Sequence, residues 1–255
     1  ILVDGTTGRV IAQHEAGLTA GNITIASPHA DFRQTIDAVY HHLTILEGLP
    51  DQLKLVLTTD DIRKCKEEGK FGLILGLQDG IGLESDLTLL TIFHRLGIRV
   101  MTLTYNERNP LGDGCLEPHD AGITHFGVQV VREMNRLGIV LDLSHVSERT
   151  SLDAMGYATK PPVFSHSNPK ALTPSQRCIT DEQIKACGEL GGLVGISVFS
   201  PMVWNTDVVR PTLDDFLDRM EHVINLIGVD HVGIGSDIFA SKNAIFWRAT
   251  TKRRY

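Results

Sequence analysis

The stretch that decides the fold is Ile139-Val-Leu-Asp-Leu-Ser-His145, followed by a helical segment over Glu148–Met155 and then by Pro162-Val-Phe-Ser-His166. Two short apolar runs are separated by a segment of helical periodicity, which is the pattern of a βα unit with parallel strands. Because the carboxyl ends of parallel strands lie at one edge of a sheet, the Ser-His pairs that end both runs predict two neighbouring imidazoles.

The same alternation continues in both directions and predicts eight strands and eight helices. The predicted strands are Ile1–Asp4, Thr19–Ala26, Gly72–Gln78, Ile98–Thr104, Ile139–Ser144, Pro162–Ser165, Leu193–Val198 and His231–Ser236. The predicted helices are Arg9–Ala16, Phe32–Leu46, Asp60–Glu68, Asp86–Leu96, Thr124–Leu137, Glu148–Met155, Asp181–Leu190 and Leu213–Ile227. Threonines with acidic residues just after them, as at Thr180, are typical of helix starts.

Eight βα units within 255 residues predict an α/β fold, specifically a (β/α)8 barrel of the TIM type. A doubly wound parallel sheet is the alternative, although Gly80-Ile-Gly82 lacks the third glycine of a dinucleotide-binding loop and has Ser85 there. We expect residues 1–237 to form a single barrel domain. The helix expected after the last strand is replaced by residues 238–255, which are basic, so we predict a basic C-terminal tail, with a shortened or unobserved helix as alternatives.

Charge and composition narrow the classes of partner. Lys and Arg number 24 against 31 Asp and Glu, a net charge of −7, which argues against nucleic acid or an anionic membrane surface and favours a small molecule. Four cysteines without C-x-x-C spacing require no disulfide framework and favour a reducing compartment. With neither an apolar run long enough to span a bilayer nor a leader segment before Ile1, we expect no membrane span and a cytoplasmic location.

In a barrel the polar residues that end each strand form the active site. They are Asp4, Gln78, Tyr105 with Asn106, His145, His166 and Asp237. The histidines at the ends of consecutive strands suit Zn²⁺, which imidazole nitrogen binds well, although a single histidine there is more often a hydrogen-bonding or substrate-contacting residue. Asp237 is a candidate general base, and a helix cap or an ion-pair partner is the alternative interpretation.

Several longer motifs contain these residues. They are Leu96-Gly-Ile-Arg-Val-Met-Thr-Leu-Thr104, Gly127-Val-Gln-Val-Val-Arg-Glu-Met-Asn-Arg-Leu-Gly138, Asp142-Leu-Ser-His-Val-Ser147, Ser165-His-Ser-Asn168, Arg177-Cys-Ile-Thr-Asp-Glu182 and Gly233-Ile-Gly-Ser-Asp237. Over most of residues 71–237 the sequence resembles the membrane (renal) dipeptidase family of the amidohydrolase superfamily, whose members are metal-dependent barrel hydrolases.

The resemblance implies a zinc centre of one or two ions that activates a water to attack the peptide carbonyl of a dipeptide. It implies that His145 and His166 are metal ligands, that Asp237 is the catalytic base and that Arg177 binds the substrate carboxylate, for which a planar guanidinium is suited. Gln78 or a water molecule is expected to complete the metal shell. Tyr105 and Asn106, after the fourth predicted strand, are expected to contact the substrate, and a homodimer is possible in this family.

The sequence also departs from the family pattern at three strand ends. The family usually has an Asp-Gly-His-x-Asp run on its first strand, where this chain has Asp4-Gly-Thr-Thr-Gly8. A bridging glutamate is replaced by Gln78, and a histidine by Tyr105. Both zinc ligands of the first strand and the bridging carboxylate are therefore absent, which indicates a changed site on a retained scaffold.

Three functions follow from these observations. The first is a metal-dependent dipeptidase acting on small dipeptides or related amides. The second is a diverged hydrolase or lyase that acts on another small carboxylate held by Arg177, with Tyr105 as acid and Asp237 as base. The third is a metal-free binding pseudoenzyme that keeps the barrel, because fold alone does not determine function.

Overall fold

The computed structural model describes residues 14–203 and 211–237. The chain divides into two compact units, one comprising residues 1–101 and 136–139 and the other residues 102–135 and 140–255. Both consist of parallel strands that alternate with helices, so the chain has an α/β fold. Within the described part, no helix is both long and apolar enough to cross a membrane.

The first unit is built around the strand β3. Its strands are β1 (Ala20–Thr24), β2 (Leu53–Leu55), β3 (Phe71–Leu77) and β4 (Ile98–Thr102), the last residue of which belongs to the second unit. Strand β3 pairs in parallel with β1 along most of its length, with β2 near its start and with β4 near its end. Six of its seven residues are buried, as expected for an apolar strand with neighbours on both edges.

Local side-chain chemistry sets the ends of the helices in this unit. The helices are α1 (Phe32–Gly48), α2 (Thr59–Glu68) and α3 (Thr88–Arg95). Asp31 caps α1 by accepting a hydrogen bond from the Gln34 backbone N–H at 2.7 Å. Thr58 and Asp61 cap α2 reciprocally. At the other end of α2, Gly69 has φ of 65°, the left-handed conformation that ends a helix with little strain in glycine.

The second unit contains the strands that carry the candidate histidines. Its strands are β5 (Val140–Asp142), β6 (Val163–Ser167), β7 (Leu193–Ile196) and β8 (Val232–Ile234), paired in parallel in that order. Its helices are α4 (His125–Leu137), α5 (Glu148–Tyr157), α6 (Asp181–Glu189), α7 (Ser200–Val203) and α8 (Leu213–Ile227). Helix α6 packs against α5 and α8, and Phe164, Val194 and Ile196 are fully buried in the strands.

Most of the predicted elements are present with ends shifted by a few residues. The structure adds β2 and α7, which the sequence pattern did not predict, because three- and four-residue elements carry too little periodicity. The predicted strand Ile1–Asp4, most of the predicted helix Arg9–Ala16 and the tail 238–255 lie outside the described residues. All four cysteines are free thiols.

From the packing in the second unit we expect two glycine-to-alanine substitutions to have opposite effects on the free energy of unfolding. A methyl group at Gly195 in β7 would overlap the Ser165 carbonyl oxygen of β6, whereas one at Gly156, near the end of α5, has no atom within 4 Å. We expect Gly195→Ala to lower the free energy of unfolding by roughly 1–3 kcal/mol and Gly156→Ala to raise it by about 0.5–1 kcal/mol. Urea denaturation measures both. Equal effects would contradict this packing.

Candidate active site

His145 and His166 lie side by side in the second unit. His166 is within β6, and His145 follows β5 in a turn where its φ is 68°. Their Nε2 atoms are 2.9 Å apart, and their ring planes meet at 61°. Both side chains are buried, with 5% and 6% of their surface exposed. The structure thus brings together the two imidazoles that the sequence placed at neighbouring strand ends.

Each imidazole uses its other ring nitrogen for a hydrogen bond. Nδ1 of His145 lies 2.7 Å from the Asn106 side-chain oxygen, and Nδ1 of His166 lies 2.7 Å from Oγ of Ser165. When Nδ1 carries the proton of a neutral imidazole, the Nε2 atom has a free lone pair. The two Nε2 atoms that face each other are within hydrogen-bond distance, so one of them donates to the other.

Burial and a neighbouring cation keep both imidazoles neutral. Desolvation, followed by the charge of Arg177, lowers the pKa of His166 to about 3, while Asp142 opposes the shift. Desolvation, the charge of Arg177 and the neighbouring His166 hold the pKa of His145 well below its usual range. Because metals bind the neutral form, both rings are in the state that a metal requires near neutral pH.

Arg177 is a buried cation beside this pair. Its side chain is 3% exposed, and its guanidinium donates to Ser167 Oγ at 3.1 Å and to the His166 carbonyl oxygen at 2.8 Å. No carboxylate among residues 14–203 and 211–237 forms an ion pair with it. Guanidinium carries five N–H donors, so Arg177 retains donors for an anionic group.

Asp237 follows β8 and is half-buried, with φ of 50°. Desolvation raises the pKa of its carboxyl to about 6, although the charge of Arg177 acts in the opposite direction. A carboxyl with a pKa close to the working pH can both accept and return a proton, which is the property of a general acid–base group.

A long loop between β4 and α4 forms one wall of the site. The Tyr105 ring stacks on the His145 ring, with 4.1 Å between centroids. Further along the loop, the Cys115 backbone N–H donates to the His145 carbonyl oxygen at 2.8 Å. Gly114 lies so close to the backbone of Tyr105 and Asn106 that a β-carbon would overlap it. A cavity of about 150 Å³, whose lining includes Cys115, His145 and Arg177, adjoins this wall.

The remaining predicted site residues are placed as follows. Gln78 directly follows β3 in the first unit and is half-buried, whereas the histidines, Arg177 and Asp237 belong to the second unit. Asn106, predicted to contact substrate, is buried and its side-chain oxygen faces His145. Asp4 and Thr6 lie outside the described residues.

The sequence analysis did not identify Asp142 and Ser165 as part of the site. Asp142 is 2% exposed and accepts a hydrogen bond from Ser165 Oγ at 2.5 Å. Ser165 thus lies between Asp142 and Nδ1 of His166. A signal was available, because an acidic residue within the apolar run Val140-Leu-Asp-Leu143 is unusual in a buried strand.

The donor set fits a metal in part. Two neutral imidazoles with facing Nε2 atoms are a nitrogen pair of the kind that Zn²⁺ binds. In the described part of the chain, however, no group of three His, Cys, Asp or Glu residues is arranged to hold an ion. The described residues thus offer two imidazole nitrogens, whereas a catalytic zinc usually takes three ligands from the protein.

Comparison with known proteins assigns the chain to a family. The family model described as "Membrane dipeptidase (Peptidase family M19)" matches residues 13–245. The dipeptidase tcpJ of Claviceps purpurea is 34% identical over 240 residues, which are 92% of this chain and 56% of the relative. An uncharacterized dipeptidase of Schizosaccharomyces pombe, C965.12, is 32% identical over 83% of this chain and 52% of its own length. The chain spans about half the length of these curated relatives.

Solved structures show the same fold. An amidohydrolase from Pseudomonas aeruginosa superposes with a TM-score of 0.87 and 33% identity, covering 94% of this chain and 72% of its own. A metallo peptidase from Rhodobacter sphaeroides, liganded with a phosphinate mimic of the dipeptide L-Ala-D-Ala, has a TM-score of 0.82 and 26% identity over 93% of this chain and 79% of its own. Because the family match extends over nearly the whole chain, this protein belongs to the membrane dipeptidase family, peptidase family M19.

Proposed function

We propose that this protein is a metal-dependent dipeptidase that hydrolyses small dipeptides or related amides. The observation that carries the proposal is the pair of buried, neutral imidazoles with Nε2 atoms 2.9 Å apart, next to Arg177. Its relatives in Claviceps purpurea and Schizosaccharomyces pombe are named dipeptidases. The ligand of the Rhodobacter sphaeroides structure, a dipeptide mimic, supports a dipeptide as the substrate class.

His145 and His166 would hold the metal, which we propose to be zinc, as one ion or two. Gln78 is proposed to complete the shell through its amide oxygen. A bound zinc ion supplies a Lewis acid that polarises the scissile carbonyl and makes water more acidic.

The other residues would bind the substrate and move protons. Arg177 would pair with the carboxylate of the dipeptide, because it is a buried cation with donors to spare and no carboxylate partner in the described part of the chain. Asp237 would accept a proton from the attacking water and pass it to the leaving amine. Its pKa of about 6 permits both transfers near neutral pH. Tyr105, stacked on His145, is proposed to contact the substrate beside the metal ligands.

We infer further that the complete fold is a (β/α)8 barrel in which residues 1–237 form one domain. The parallel strands alternating with helices in both units support this proposal, as does the TM-score of 0.87 with the Pseudomonas aeruginosa amidohydrolase. In such a barrel, His145, His166 and Asp237 would come from the ends of different strands.

The metal requirement is tested on protein purified with zinc. We expect about one tightly held zinc ion per chain, and its loss in the double variant His145→Ala, His166→Ala should lower turnover of L-Ala-D-Ala and similar dipeptides at least about 100-fold. Elemental analysis and a dipeptide hydrolysis assay measure this. His222→Ala is the control. His222 lies in α8, and among the described residues its one hydrogen-bond partner is Asp181, at 2.8 Å.

Three results of this experiment would be decisive. About two zinc ions per chain would show that further ligands exist. No bound metal and no turnover across the panel would refute the dipeptidase proposal. Binding of dipeptides without turnover would then favour a metal-free binding protein, since a ligand stabilises the folded state without being consumed.

The role of Arg177 is tested by comparing a dipeptide with its C-terminal amide. We expect Arg177→Lys to raise KM for the dipeptide about tenfold or more, because lysine cannot form the paired hydrogen bonds of a guanidinium. KM for the amide, which has no carboxylate, should change little. Arg149→Lys, with 66% of the arginine side chain exposed, is the matched control. Equal effects on the two substrates would show that Arg177 acts only on structure.

The half-buried carboxyl of Asp237 predicts that the stability of the metal-free protein depends on pH. Its pKa of about 6 in the folded state lies above the 3.8 of an exposed aspartate, so the folded state binds more protons between these values. Stability from this group is therefore greatest at low pH and falls as pH rises through 4 to 6. Two pKa units correspond to about 3 kcal/mol, an upper bound on the cost at neutral pH.

Asp237→Asn removes that cost. We expect the variant to be more stable than the unchanged protein at pH 7 and the difference to shrink as the pH falls from about 6 to about 4. Urea denaturation with chelator present, over a pH series, measures it. Asp230→Asn, an exposed aspartate in the same unit, is the control. A stability difference that stays constant with pH would contradict the prediction.

A further inference from the structure

The cavity of about 150 Å³ beside the candidate active site lies within the second unit. Its wall includes His145 and Arg177. The Arg177 side chain is 3% exposed, and among the described residues it has no carboxylate partner, so this part of the wall is built to meet an anionic group. A cavity of about this volume holds a molecule the size of benzene, which is comparable to one long amino-acid side chain.

The positions of Arg177 and His145 decide which side chain of a dipeptide can enter the cavity. In the proposed function, on which this step rests, Arg177 binds the C-terminal carboxylate and His145 holds the metal at the scissile carbonyl. The α-carbon of the C-terminal residue lies between these two groups of the substrate. Because Arg177 and His145 line the same cavity, the side chain on that α-carbon is the one placed to enter it.

Carboxylates predominate among the other charged groups of the wall. They belong to Glu117, Asp120 and Glu148, and the opposing charge is the ammonium of Lys170. Once a substrate carboxylate matches the charge of Arg177, the remaining wall is negative. Such a wall attracts a cationic group and repels an anionic one, and the effect is stronger where water is partly excluded.

Hydrogen bonds fix two of these carboxylates on the wall. Asp120 accepts the Ser147 hydroxyl at 2.7 Å and the Arg149 backbone N–H at 2.8 Å. Glu117 accepts the Arg108 backbone N–H through Oε1 at 2.8 Å. Its other oxygen, Oε2, forms no hydrogen bond with the described residues and is therefore open to a donor from a ligand.

Glu148 and Lys170 occupy exposed positions on the same wall. Within residues 14–203 and 211–237, neither side chain forms an ion pair. Glu148 is therefore a second acceptor that a ligand can use, whereas Lys170 opposes a cationic ligand.

We propose that this cavity is a specificity pocket for the C-terminal side chain of the dipeptide and that it selects a cationic side chain, such as that of lysine. Glu117 and Glu148 accept hydrogen bonds from the ammonium group of the ligand, and Asp120 adds a fixed negative charge. Such a preference is a difference between affinities, so it is measured with ligands of similar length and different charge.

The experiment measures binding, so that it does not depend on turnover. The ligands are the Nα-acetyl derivatives of lysine, norleucine and glutamate, which share the α-carboxylate and differ in side-chain charge. Both enantiomers of each are titrated calorimetrically into the full chain at neutral pH, with and without zinc. We expect the Kd of the lysine derivative to be about three- to tenfold lower than that of the norleucine derivative, with the glutamate derivative weakest. Added salt should reduce this difference.

Four variants test whether the preference comes from the cavity wall. Glu117→Gln and Glu148→Gln each remove one charge and keep the side-chain shape, so each should reduce the preference for lysine about twofold or more. Lys170→Gln should instead tighten binding of the lysine derivative. Glu182→Gln is the matched control, because Glu182 is an exposed residue in the first turn of α6, as Glu148 is in α5, and is not part of the cavity wall. It should leave all three Kd values unchanged.

The unchanged protein alone can overturn the inference. Equal Kd values for the three ligands do so, as does the absence of binding by all of them. Tighter binding of the glutamate derivative that weakens in Lys170→Gln also overturns it and shows a pocket for a second carboxylate.

Dipeptide turnover is a separate readout. A protein that prefers the lysine derivative but hydrolyses no dipeptide refutes the proposed function and leaves the cation-selective pocket standing. A protein that hydrolyses Ala-Lys, Ala-norleucine and Ala-Glu equally well supports the proposed function and refutes the pocket.

Discussion

In the second unit, the hydrogen bonds of the buried Asp142 carboxylate link strand β5 to strand β6 beside the two histidines. Strand β5 has three residues, and its ladder to β6 aligns only Asp142 with Val163. The carboxylate adds a bond to the Ser165 backbone and another to its hydroxyl. A carboxylate is tolerated in such a position only when its oxygens are satisfied. The constraint that aligns β5 with β6 therefore also sets the spacing of His145 and His166.

The electrostatics of the site depend on a second constraint, the burial of Arg177. Its charge helps to keep both imidazoles neutral and opposes the rise in the pKa of Asp237. A buried cation without a carboxylate partner is unfavourable unless something compensates it. Among the described residues, its hydrogen bonds go to neutral oxygens of Ser167 and His166. An anionic group of a substrate would thus complete an environment that the fold leaves with excess positive charge.

Backbone strain is concentrated in the same place. His145 and Asp237 are two of the four non-glycine residues with positive φ among the described residues. Such conformations cost about 1–3 kcal/mol and persist where the surroundings enforce them. For His145 the enforcing contacts are visible, since the Cys115 backbone binds its carbonyl and Gly114 permits the close approach. The loop from β4 to α4 is therefore part of the support of the histidine pair.

Sequence alone determined the features that depend on near neighbours in the chain. The threonine caps at Thr58, Thr180 and Thr212 act within three residues, and all three form capping boxes in the structure. Strand β2 was not predicted, because its three residues are held by pairing with Phe71–Leu73 and not by any pattern of their own.

The motifs also identified His145, His166, Arg177 and Asp237, but not what surrounds them. Only tertiary structure decided that the imidazoles meet through Nε2 and that Asn106 faces His145. It also placed Asp142 behind His166. These partners are 21 to 39 residues apart in sequence, and their bonds depend on strand register and on distances set to tenths of an ångström. A local pattern specifies which residue types arrive at a strand end, whereas hydrogen-bond direction is settled only when the strands pack.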